Sequence, residues 1–114
     1  MEYKTIVKRI QEINIPSVYH HWDAEDVPKL PYIVHMMNGR DDRSADNINF
    51  NKIQNVTIEL YSANPDFVNE EKIEIILEQM GLFYTKSDPF YLDKEMMYQT
   101  IYEFKFMEGK KYDN

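Results

Sequence analysis

Residues 55–81 read NVTIELYSANPDFVNEEKIEIILEQMG, an alternating stretch joined to a helical one. Over 55–61, Val56, Ile58 and Leu60 alternate with Thr57, Glu59 and Tyr61. An extended chain therefore puts the aliphatic set on one face and the others on the opposite face. From residue 64 the period changes. Ile73, Ile76, Leu77 and Met80 recur at helical spacing, with Ile75 widening the apolar face. Asn64 is placed to cap this helix and Pro65 suits its first turn, while Asp66, Glu70 and Glu71 sit at the positive end of its dipole. Gly81 supplies a left-handed stop. A one-sided strand followed by a one-sided helix predicts a sheet covered by a helix.

Upstream, Ile6, Ile10 and Ile13 predict a first helix over 5–13, with Lys8, Arg9, Gln11 and Glu12 on its wet side and Asn14 and Pro16 ending it. Residues 18–22 predict a short strand, followed by an acidic turn holding Pro28 and Pro31. The mostly apolar run over 32–37, led by Ile33 and Val34, predicts an inner strand covered on both faces. Downstream, 83–86 and 96–106 predict two strands joined by an irregular 87–95. In the longer one Tyr98, Tyr102, Phe104 and Phe106 share the core face, opposite Ile101, Glu103, Lys105 and Met107. The pattern as a whole predicts a single domain over 1–114 of the α+β class, a mostly antiparallel sheet with two helices packed on one face.

Between the strands at 32–37 and 55–61 lies NGRDDRSADNINFNK, residues 38–52. A tight hairpin needs about two to five connecting residues, so this run is read as a long arm that contacts other subunits. Its interface residues are Arg40, Asp41, Asp42, Arg43, Asp46, Asn47, Asn49 and Phe50, with Arg40 and Arg43 meeting carboxylates of a neighbour.

A net charge of −7 and the lack of a basic stripe argue against nucleic-acid binding as the main task. With no cysteine there is no disulfide framework or thiol nucleophile. The charged N-terminus and the lack of a long apolar run argue against a signal peptide or a membrane span, and the C-terminal EGKKYDN reads as a solvated tail. His20 and His21, with Asp23, Asp26 and His35, are the first metal candidates, but neighbours on a strand point to opposite faces and do not readily share one ion. Asp41, Asp42 and Asp46 fail the calcium-loop pattern, because Gly39 precedes the acids and Arg40 and Arg43 interrupt them. Gly39, Gly81 and Gly109 form no phosphate-binding motif, and Ser17, Ser44, Ser62 and Ser87 lie in no nucleophile elbow. The pair Glu70 and Glu71 is accounted for by the helix N-terminus, and the methionines of HMM and EMM by core filling. The expectation is a non-enzyme with no catalytic residue, cofactor or metal.

Taken together, LPYIVHMM, the polar loop with SADNINFNKIQNVTIELYS, the helix NEEKIEIILEQMG and the ending FYTKSDPFYLDKEMMYQTIYEFKF resemble the tail-terminator and tail-completion (neck) proteins of long-tailed bacteriophages and prophages of Gram-positive bacteria. The resemblance runs from Ile6 to Phe106 and lies in element order and residue character. It implies a structural virion protein, made in the host cytoplasm, that forms a homo-oligomeric, hexameric ring on the tail tube. Such a ring ends tail polymerisation and presents the surface for head-tail joining. The implied partners are copies of the chain, the tail-tube protein and a head-completion protein, with DNA passing the acidic pore unbound. A head-side neck adaptor and a small metal- or ligand-binding domain are the alternatives.

Overall fold

A computed structural model describes residues 1–41 and 51–109. Two helices and six strands follow in the order α1 (Tyr3–Gln11), β1 (Ser17–Tyr19), β2 (Tyr32–Arg40), β3 (Asn51–Ser62), α2 (Phe67–Gln79), β4 (Tyr84–Lys86), β5 (Phe90–Leu92) and β6 (Met97–Gly109). The sheet order is β1-β2-β3-β6-β4, with β5 pairing β6 off that path. Every pair is antiparallel except β1 with β2. The protein is thus the α+β domain with a mostly antiparallel sheet that the sequence predicts.

The alternation at 55–61 sets the layers. Val56, Ile58 and Leu60 lie opposite Phe104, Tyr102 and Thr100 on β6, and Leu60 lies opposite Ile33 on β2. Directly paired residues project to the same face, so these side chains form one apolar surface. Onto it pack Ile6, Ile10 and Ile13 from the N-terminal helical segment and Ile73, Ile76 and Leu77 from α2, all buried in one cluster. Both helices thus cover one face.

Local capping departs from the expectation. Asp66, not Asn64, caps α2: its Oδ1 accepts from the Asn69 N–H at 3.1 Å while Pro65 stays outside the helix. Gly81 closes the helix at φ +71, and the Leu82 N–H reaches back to the Leu77 carbonyl at 2.9 Å, the bond of a left-handed C-terminal cap. Ile75 does not widen the core face and is 44% exposed. The first helix begins two residues earlier than 5–13 and the first strand stops at Tyr19 rather than Trp22. Within the supposedly irregular 87–95, Phe90–Leu92 pairs with β6, and the chain returns through a turn in which the Met96 N–H bonds the Leu92 carbonyl at 2.8 Å.

Strand and helix lengths decide the outline. A 13-residue strand such as β6 spans roughly 40 Å at about 3.4 Å per residue. The 13 residues of α2 span roughly 20 Å at about 1.5 Å per residue. The strands must therefore outrun the helices, and the molecule measures 50 × 26 × 25 Å. The overhang is built from the start of β3 and the end of β6, in unbroken register from Asn51↔Gly109 to Val56↔Phe104. β2 joins it through a bulge between Met37 and Arg40, where Gly39 takes φ +98. Residues 38–40 and 51–52 of the expected arm are therefore strand.

Candidate interaction surfaces

The overhanging ribbon carries the described part of the predicted interface. Arg40 pairs in register with Gln54, and the Asp41 N–H donates to the Ile53 carbonyl at 2.7 Å. Asp41 Oδ2 receives Lys105 Nζ at 2.6 Å, so the base of the arm is clamped to β6. Asp42, Arg43, Asp46, Asn47, Asn49 and Phe50 lie outside the described residues, as does the tail beyond Gly109.

The outer edge of β6 is only partly covered. The N–H and C=O of Ile101 are both bonded to Ser87, so by alternation Lys105 and Met107 turn theirs to the same side. No strand among the described residues pairs that side beyond Tyr84↔Phe104. The Met107 carbonyl instead takes the N-terminal amine at 3.4 Å. Beside this edge stands Phe83, 96% exposed, at the rim of a groove of about 580 Å³ shared with Asn38, Thr57, Glu103 and Lys105. A phenylalanine this exposed, next to a strand edge that no strand among the described residues pairs, is the kind of surface that another chain covers.

On the same side of the sheet, a second feature forms at the opposite end. The parallel pairing of β1 and β2 forces a crossover, residues 20–31, across the face the helices leave open. Trp22 from this crossover meets Tyr32 edge-on at 5.8 Å and 78°, and Tyr32 lies against Tyr61 at 5.2 Å and 32°. The crossover, the sheet and the β5–β6 turn border an open cleft of about 280 Å³. Glu59 lines it from the sheet and Glu95 from the turn, and among the described residues no lysine or arginine does. Tyr61 donates its hydroxyl to Glu59 Oε1 at 2.9 Å and accepts from Gln99 Nε2 at 2.8 Å, which fixes the carboxylate. Burial and the neighbouring Glu59 push the Tyr61 phenol well above its ordinary range, so it stays a donor. The Trp22 Nε1–H is buried and finds no acceptor among the described residues.

The two histidines at this cleft correct the face argument made from the sequence. His20 takes φ +72 and ends the strand, so His20 and His21 do not point to opposite faces and their Nδ1 atoms approach to 2.9 Å. Asp23 lies 3.7 Å from His21 Nε2. His35, the third histidine named with them, lies on β2 and bonds Tyr3 at 2.7 Å. Among the described residues no group of three His, Cys, Asp or Glu side chains has the geometry to hold a metal.

Glu70 stands in the first turn of α2, as expected from the helix dipole, and also has a partner the sequence did not suggest. It is 2% exposed, and its Oε1 takes Lys86 Nζ at 2.7 Å. Lys86 also reaches Glu74 Oε2 at 2.8 Å, which accepts from the Tyr102 hydroxyl at 2.7 Å. Burial pushes the Glu74 carboxyl up, but the bonds from Lys86 and Tyr102 and the lysine's charge outweigh it and hold it below its ordinary value. Burial first, then the bond to Glu74, raises the Tyr102 phenol far out of reach of ionisation. This network pins β4 and β6 to α2. The sequence signal was the i, i+4 spacing of Glu70 and Glu74, which places both on one helix face.

No helix among the described residues is long and apolar enough to cross a membrane. No protein-family model matches the sequence, and no curated protein matches it.

Proposed function

We propose that this chain is a structural subunit that works by assembling with copies of itself into a ring. Its place is the end of a phage tail tube, where it stops polymerisation and offers the head-docking surface. The observation that carries the reading is the ribbon: β3 and β6 outrun the helical layer, and among the described residues the outer edge of β6 has no strand partner beyond Tyr84↔Phe104. A closed ring of head-to-tail contacts needs two unlike patches on each subunit. The β6 edge with Phe83 supplies one, and the exposed Phe67 and Val68 at the start of α2 supply another. The resemblance in element order supports the phage assignment, and the α+β fold agrees with what that resemblance implies.

The arm gives the test. Replacing residues 42–52 by Asn-Gly joins Asp41 to Ile53, which already share a backbone hydrogen bond, through a two-residue hairpin turn. The expected outcome is a folded chain, destabilised at most by the loss of the terminal Asn51 and Lys52 pairings with β6, together with uncapped, overlong tails in electron micrographs of an assembling system. Tails of wild-type length would remove the arm from the account. Pull-down by portal or connector components in place of tail-tube protein would move the protein to the head side of the joint.

A further inference from the structure

We propose that the cleft between the 20–31 crossover and the β5–β6 turn is a binding site for a small organic ammonium. Among the described residues, the formally charged groups that line it are the carboxylates of Glu59 and Glu95, with no lysine or arginine to neutralise them. Its inner surface is aromatic, with Trp22, Tyr32 and Tyr61 in unbroken ring contact. Carboxylates alone would suit a hydrated metal ion, and rings alone would suit any apolar group. Combined, they select a positive charge clad in carbon, which gains from the negative ring faces and from the anion without needing a full hydration shell. The metal reading lacks support from geometry, since the described residues hold no cluster able to ligate one.

Two details sharpen the ligand class. Glu59 is held in place by the Tyr61 hydroxyl at Oε1, so the carboxylate is oriented before any ligand arrives. The volume of about 280 Å³ fits a group the size of one side chain. The class is therefore an alkylammonium, either a free organic ammonium such as choline or the lysine of another chain.

Trp22 is the chain's one tryptophan, so the site carries its own reporter. The experiment titrates the full chain with choline, with N-acetyl-lysine amide and with 3,3-dimethylbutan-1-ol, the uncharged isostere of choline, at constant ionic strength. A saturable change in Trp22 emission with a midpoint of about 1–10 mM for at least one ammonium is expected, with the neutral alcohol at least about tenfold weaker. Choline outperforming the lysine amide assigns the site to a free ligand, and the reverse assigns it to a partner's lysine. Glu59→Gln should raise the midpoint about tenfold, with folding checked by circular dichroism. Should that variant not fold, Glu95→Gln on the exposed turn reads the same effect. Equal response to the neutral alcohol, or no saturable response to either ammonium, overturns the proposal. The site does not depend on the ring reading, and failure of either leaves the other standing.

Discussion

The Tyr3 hydroxyl lies 2.7 Å from Nδ1 of His35, tying the first turn of α1 to the middle of β2. Tyr19 packs edge-on against both rings, and Phe106 lies 6.2 Å from Tyr3. Burial lowers the His35 pKa below its ordinary 6.5, so the unfolded chain takes up the proton first as pH falls. The sign follows from linkage: stability from this site is complete above about pH 6.5 and is lost as pH falls through the lower folded value. The urea midpoint should drop between pH 7 and pH 5, and His35→Gln should flatten that part of the profile. A midpoint that rises on acidification would contradict the assignment.

Lys86 is the counter-charge for a carboxylate that is almost wholly out of water. Lys86→Met leaves Glu70 buried and uncompensated, and about 3 kcal/mol of stability should be lost. The double variant Lys86→Met, Glu70→Gln should recover most of it, because the charge that needed compensation has gone. Denaturant unfolding of the two single variants and the double variant measures the coupling. Simple additivity would mean that the pair does not act as a unit.

Gly81 has room for a methyl group but not the backbone for one. No atom lies within 4 Å of a Cβ built there, yet its φ is +71. Gly81→Ala should therefore cost about 1–2 kcal/mol through backbone strain alone. A neutral result in thermal unfolding would show that the α2 cap relaxes.

Phe83 separates stability from association. At 96% exposure its truncation removes almost no burial, so Phe83→Ser should change unfolding by less than about 0.5 kcal/mol. On the ring account the same change weakens self-association at least about tenfold, as loss of an aromatic anchor does. Sedimentation reads the second quantity and thermal unfolding the first.

The layers were legible because Val56, Ile58 and Leu60, like Tyr102, Phe104 and Phe106, repeat their pattern for long enough to show a period. Phe90–Leu92 was not legible, since three residues are too short for a period and the strand exists through its pairing with β6. The cap moved from Asn64 to Asp66 because both residue types cap well and only the helix axis chooses between them. The histidine pair was misread because a left-handed residue at His20 is not encoded by any glycine or asparagine there. Glu70 was legible as a first-turn acid, but its partner Lys86 is distant in sequence, so only the packing of β4 under α2 reveals the pair. The open-face cleft was hidden for the same reason: Trp22, Glu59 and Glu95 come from three separate segments.

Sedimentation velocity over a concentration series, from about 10 µM to about 1 mM, alone and mixed with tail-tube protein, tests self-assembly most directly. The account predicts a closed particle of several copies that grows in with concentration or with the tube, and that Phe83→Ser diminishes. A species of one chain's mass at every concentration, with and without the tube protein, would contradict it.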